Sequence, residues 1–254
     1  REISSLEKIM KKTFFLCLLI FNFSAWSFDQ KHSLWDQVLK QHTKIEKMQV
    51  LVDYKSLKVK PEVLNKYLEQ LETLSKSDFE KFNKNEQLAF WINSYNAFTV
   101  KLIIDKYPVK SIKDIGSFFS SPWSKKYISI FDSKMSLDDI EHKTIRKNFK
   151  EPRIHFAVNC ASIGCPSLFR EAFVGSRLDS QLDQATNHFL NNKDKNYYNK
   201  KEDVLYISKI FKWYGSDFNS KYKGYRNFIS KYIKHSKEAS FEWLDYDWNL
   251  NSYQ

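Results

Sequence analysis

The segment NEQLAFWINSYNAFTVKLIIDKYP, residues 85 to 108, is apolar nearly all round, a pattern that predicts a buried central helix. Asn85 reads as its cap, Glu86 falls in the first turn and Pro108 stops it. Glu86, Asn93 and Asn96 recur at helical spacing and so fall on one polar stripe. A buried polar stripe must be hydrogen-bonded, because an unpaired group costs roughly 1–3 kcal/mol. Two readings stand: the asparagines tie down neighbouring loops, or they line a cleft and orient a substrate or a catalytic imidazole.

Upstream, PEVLNKYLEQLETL places Leu64, Tyr67, Leu68, Leu71 and Leu74 at helical spacing behind Pro61, and LWDQVLKQHTK predicts another helix. MQVLVDYKSLK holds a short extended piece. Beyond Pro108 a loop leads to a strand near Lys126 to Phe131, a turn at Asp132-Ser133-Lys134 and a returning strand at MSL. Ser136 or Asp138 then caps a helix from about Asp139 to Lys147, with Ile140, Ile145 and Phe149 inward and His142 near its middle. RIHFAVN reads as a strand with Ile154, Phe156 and Val158 on one face and Arg153, His155 and Asn159 on the other. SRLDSQLDQATNHFLNN and GYRNFISKYIKHS predict helices, VLYIS a strand, and SFEWLDYDWNLN a last strand. The predicted class is α+β, a helix-rich single domain around a small, mainly antiparallel sheet.

Five glycines, five prolines and 17% aromatic residues indicate a compact chain with few loops. The beginning changes the picture. MKKTFFLCLLIFNFSAWSFDQ combines Lys11 and Lys12, an apolar run from Phe14 to Phe23 and a small-x-small site at Ala25-Trp26-Ser27, the parts of a secretory signal. Residues 1–9 then read as upstream sequence, 10–27 as a signal peptide that takes Cys17 with it, and 28–254 as one globular domain. The apolar run is too short for a usual membrane span, so a periplasmic or secreted protein without a transmembrane segment after cleavage is expected.

The formal net charge is +11, and cleavage leaves the chain strongly basic. A basic surface favours peripheral contact with an anionic envelope surface, whereas export argues against nucleic acid. The densest lysine cluster, NNKDKNYYNKKED, mixes in acids and asparagines and reads as a solvated loop. His32 and His42 read as surface residues, and His188 and His235 carry no functional case. Trp91, Trp123, Trp213, Trp243 and Trp248 read as core, except that Trp123 in SSPWSKKY suits a cleft mouth.

FWINSYNAFT, LDDIEHKTIR, RIHFAVNCASIGCPSL, ISKIFKWYGSDF and YDWNLN, in that order from about Leu64 to Asn251, resemble the successive motifs of the family catalogued as domain of unknown function 547. The resemblance implies that the family's characteristic polar positions are Asn93, Tyr95, Asn96, Glu141, His142 and Cys160. Cys165 is typical of its bacterial members, and the resemblance so implies an exported bacterial one. It implies no activity.

Candidate chemistry centres on Cys160. A cysteine hydrolase or acyl transferase acting on a peptide or amide in the envelope needs a thiolate, a histidine to take its proton and a group to orient that histidine. Cys160, His142 and, as orienter, Asn93, Asn96 or Glu141 supply these types, with the asparagines the better orienters because neighbours on a helix diverge by about 100°. Backbone N–H groups from Ala161 to Gly164 or an asparagine amide would hold the oxyanion. His155 is a rival base, but lies about 16 Å from Cys160 if the chain stays extended. Tyr95, His155 and Trp123 are the substrate-binding candidates, and no cofactor is implied.

The alternative is a Cys160–Cys165 disulfide, worth about 2 kcal/mol in loop entropy. The protein is then a non-catalytic binding module for a small or peptide ligand, with a pocket made by the asparagines, His142 and Tyr95. A zinc site from Cys160, Cys165, His155 and His142 matches no standard ligand spacing, so no metal is expected.

Overall fold

The computed structural model describes residues 28–117 and 120–253; the leader read over residues 10–27 and the stretch before it lie outside them. Helix α1 (Ser33–His42) leads into the antiparallel hairpin of β1 (Thr43–Glu46) and β2 (Gln49–Val52). Helices α2 (Tyr54–Val59), α3 (Glu62–Thr73) and the single turn α4 (Lys76–Phe79) precede the central α5 (Lys84–Lys106). A second hairpin pairs β3 (Ile128–Ile130) with β4 (Ser133–Met135), and a π-helix, Asp139–Arg146, runs on into α6 (Lys147–Phe149). After α7 (Leu178–Leu190) come β5 (Tyr197–Asn199), β6 (Val204–Ile207), the short helices α8 (Ile210–Tyr214), α9 (Asn219–Tyr222) and α10 (Tyr225–Ile229), and β7 (Ser240–Trp243). β6 pairs antiparallel with β5 and parallel with β7. The class is α+β, with the strands distributed over three small sheets instead of gathered into one. Among the described residues no helix is long and apolar enough to cross a membrane.

Helix α5 is buried from Leu88 to Val100, as its apolar composition requires. Its cap is Asn83, not Asn85: the Asn83 side chain accepts from the Asn85 and Glu86 N–H groups, and Glu86 Oε2 accepts from the Asn83 N–H at 2.8 Å. This capping box removes Glu86 from the polar stripe. Gly175 packs on the same turn, where a Cβ would stand 2.8 Å from the Glu86 backbone nitrogen, so only glycine fits.

The segment read as a strand at 153–159 is instead a 3₁₀ turn, Pro152–Phe156. Glu151 caps it through the Arg153 N–H, and Pro152 sits where a missing N–H is harmless. The alternation misleads because both faces are buried: Arg153 is neutralised by Glu151, Asp179 and Asp183, and His155 by Asp217. Of GYRNFISKYIKHS, α10 alone is α-helical.

His32 is buried, not superficial; its Nδ1 lies 2.8 Å from the Tyr67 hydroxyl and its ring meets Phe28 edge-on. The lysine-rich stretch after α7 is likewise only partly solvated. Asn192, Lys195 and Asn196 are buried, with the Asn196 side chain donating to the Phe189 carbonyl and accepting from the Ser208 N–H.

Residues 247–251 lace distant pieces together. The Gly164 N–H donates to the Asp247 carbonyl at 2.7 Å, the Ile163 N–H to Asn249 at 2.8 Å, and the Asn251 N–H to Ala161 at 3.1 Å. Asn251 also accepts from the Val52 N–H through its carbonyl and from the Tyr54 hydroxyl through Oδ1. A Cβ at Gly164 would stand 2.9 Å from the Asp247 backbone, so glycine is required there too.

Candidate functional site

A cavity of about 280 Å³ opens beside the N-terminal end of the π-helix. Tyr95, Trp123, Glu141, His142, His155 and Cys160 all line it; Asn93 and Asn96 do not. Ser136 fixes the start of the π-helix, donating its N–H and hydroxyl to Asp139 Oδ2 at 2.9 and 3.0 Å. Because a π-helix closes its hydrogen bonds over five residues, successive side chains diverge less than on an α-helix. Asp138, Glu141 and His142 therefore share the cavity, and Glu141 Oε1 comes to 3.8 Å from His142 Nδ1, nearer than α-helical geometry predicts.

The two histidines are held differently. His142 is part-exposed; its Nδ1 accepts from Arg146 Nη1 at 3.2 Å, so the neutral ring carries its proton on Nε2, 3.7 Å from Asp138 Oδ1. His155 is buried, donates from Nε2 to Asp217 Oδ2 at 2.8 Å and stacks on Tyr214 with ring centres 4.1 Å apart. Its Nδ1 is buried and finds no partner among the described residues. Burial pushes the Asp217 carboxyl up, but donation by His155 and by Arg146 (2.6 and 2.8 Å) outweighs it and holds the group well below the usual carboxylate range.

Glu141 is buried between the Tyr95 and Tyr214 phenols, which burial and this carboxylate together hold well above the usual phenol range. Both phenols stay protonated and act as donors.

At the floor, Cys160 and Cys165 form a disulfide with Cα atoms 6.1 Å apart. Cys160 is part-exposed, its sulfur 3.1 Å from Ser162 Oγ and 3.2 Å from the Tyr246 hydroxyl; Cys165 is buried and accepts from the Cys160 N–H at 2.8 Å. Among the described residues neither histidine hydrogen-bonds the Cys160 sulfur. Lys195 donates to the Cys165 carbonyl, and burial lowers its pKa to about 7. Trp123, Trp213, Tyr246 and Trp248 complete the rim.

Residues 79–190 match the family model described as protein of unknown function, DUF547. That segment belongs to the DUF547 family. No curated protein and no solved structure matches the chain. The matched DUF547 segment contains α5, the π-helix, the disulfide and α7, whereas Trp213, Tyr214, Asp217, Tyr246 and Trp248 lie beyond it.

Within the DUF547 segment the asparagine stripe binds backbone. Asn93 donates to the Phe173 carbonyl at 2.7 Å and accepts from the Phe173 N–H at 3.0 Å. Asn96 donates to Ala157 at 2.9 Å and accepts from the Asn159 N–H at 2.8 Å, which fixes the chain just ahead of Cys160. Neither reaches His142, so neither serves as its orienter; Arg146 and Asp138 hold that ring. The folded turn also overturns the separation expected of an extended strand, since His155 and Cys160 border one cavity. Trp213, read as core, is 43% exposed at the rim.

Asp217 is the residue that sequence reasoning passes over. It lies inside the ISKIFKWYGSDF motif, an acid among aromatic positions, but its partners His155 and Arg146 stand 62 and 71 residues away. Among the described residues no group of three His, Cys, Asp or Glu side chains is placed to hold a metal ion. Chemically the cavity offers acid–base groups, acceptors and aromatic surface, with its cysteine sulfur oxidised.

Proposed function

We propose that this DUF547 protein is an exported, non-catalytic binding module of the cell envelope whose aromatic-rimmed cleft takes a small or peptide ligand. The observation that carries this reading is the Cys160–Cys165 disulfide at the cleft floor: a sulfur already bonded to sulfur supplies no thiolate nucleophile. A disulfide also suits an oxidising compartment, in keeping with the leader-like composition of residues 10–27. The formal charge of +11 supports loose contact with an anionic envelope surface.

The test is direct, because trypsin releases both cysteines in one peptide, Ile154 to Arg170. Alkylation of the denatured, unreduced protein should leave this peptide unmodified, and alkylation after reduction should modify it at both cysteines. A free Cys160 in the isolated protein overturns the binding-module reading.

One observation favours a second reading. Cys160 is the part-exposed sulfur of the pair and borders the cavity it shares with His142, while Cys165 is buried. In the reduced protein Cys160 would serve as the nucleophile of a cysteine hydrolase or acyl transferase, with His142 as base and Tyr95, His155 and Trp123 binding the substrate. Iodoacetamide labelling of the reduced protein across pH decides: an ordinary thiol profile, with a midpoint at about pH 8.5, sinks this reading.

A further inference from the structure

The cleft is unbalanced in both charge and hydrogen bonding. Asp138 and Glu141 face it, and among the described residues neither has a Lys or Arg at ion-pair distance; the His142 ring lies 3.7 and 3.8 Å away. Arg146 is committed to Asp217 by two bonds, and Lys143 turns to Asp139 at 2.6 Å. In a chain of net charge +11 this is a local acidic spot. The Tyr95 and Tyr214 hydroxyls already point at Glu141, and His155, a lining residue, keeps a buried acceptor nitrogen with no donor among the described residues.

Another part of the lining is aromatic. Trp213 lies 4.9 Å from Tyr246 and 5.9 Å from Trp248, ring centre to ring centre, and Trp123 extends the row at 5.9 Å from Trp248. The π-face of an indole attracts cations. The chain demonstrates this affinity itself, since Lys113, which does not line the cavity, sets its ammonium 3.6 Å from the centre of the Trp248 ring. Trp213 remains open.

A neutral apolar ligand would match the aromatic wall but leave both carboxylates without a counter-charge, and an anion would meet them directly. A primary ammonium on a short apolar stem satisfies both sides, its N–H groups donating to the carboxylates and its methylenes lying on indole. We infer that the cleft recognises a primary ammonium of the lysine side-chain type, seated between Asp138–Glu141 and Trp213. This inference rests on the binding reading above and adds the class of ligand.

The test uses the full chain in its oxidised form and follows tryptophan fluorescence and calorimetry with Nα-acetyl-lysine methylamide, its norleucine counterpart and n-butylamine. The lysine compound should bind about tenfold more tightly than the norleucine one. Trp213→Ala and Asp138→Asn, both at part-exposed positions, should each weaken it about fivefold, and added salt should weaken it further. Butylamine binding as well as the lysine compound assigns the site to free amines, and weaker butylamine binding assigns it to lysine-bearing peptides; both outcomes support the ammonium. Equal or tighter binding of the norleucine compound, or no binding of either amine, overturns it. The binding-module reading fails separately, on the cysteine mapping described above.

Discussion

Two polar regions meet on α5 and are finished in opposite ways. Asn93 and Asn96 each close two hydrogen bonds onto the backbone of a neighbouring segment and are buried away from the cavity. Tyr95, between them in sequence, faces Glu141 and the cleft, where Asp138 and His142 are part-exposed and His155 holds an unpartnered nitrogen. Both regions belong to the DUF547 match, so a polar residue inside a characteristic motif is no guide to its role. What separates structure from site is whether the partners of a polar group come from within the chain.

Breaking the closed region should have the largest effect. Asn96→Ala leaves the Ala157 carbonyl and the Asn159 N–H unpaired, and should destabilise the fold by roughly 2–5 kcal/mol in urea unfolding. Asn93→Ala should cost a comparable amount while the folded fraction still binds the lysine compound normally. Loss of binding without loss of stability in the Asn93 variant would dissolve the contrast between the two regions.

Away from both regions, at the start of α1, His32 has a buried Nε2 with no partner among the described residues, and burial lowers its pKa to about 4. Above pH 6.5 both folded and unfolded forms hold it neutral, so its contribution is constant there. As pH falls from 6.5 to 4 the unfolded chain takes up a proton that the folded one refuses, and stability should fall by on the order of 3 kcal/mol. Unfolding free energies measured across that window should show this slope in the native protein and a shallower one in His32→Gln.

Reducing the disulfide probes the open region and should cost less, about 2 kcal/mol, read as a lowered melting temperature with reductant. The smallest stability change is expected for Trp213→Ala, about 1 kcal/mol, because its ring is 43% exposed and packs on Tyr246 and Trp248 of the rim. The same variant should give one of the clearest losses of amine binding, so the open region separates function from stability and the closed one does not.

The parts legible in the sequence are those set by local pattern. α5, α3 and the β3–β4 hairpin follow from apolar spacing and turn chemistry, and residue type with motif resemblance selected Tyr95, Trp123, Glu141, His142, His155 and Cys160, which the fold brings to one cavity. What was illegible depends on partners far along the chain. Arg153 and His155 look like the wet face of a strand until Asp179, Asp183 and Asp217 arrive to neutralise them. Lys195 looks solvated until the Cys165 carbonyl takes its ammonium. The nearness of Glu141 and His142 depends on π-winding, which propensity does not report.

The lacing of residues 247–251 through the cysteine turn orders the birth of the cleft. Gly164, Ile163 and Ala161 are bonded to Asp247, Asn249 and Asn251, and Tyr246 and Trp248 form the rim beside them. During synthesis the sulfurs and the π-helix emerge long before these partners exist. A chain interrupted before residue 246 therefore holds the acids and the cysteines without the aromatic residues or the backbone clasp that residues 246–251 supply.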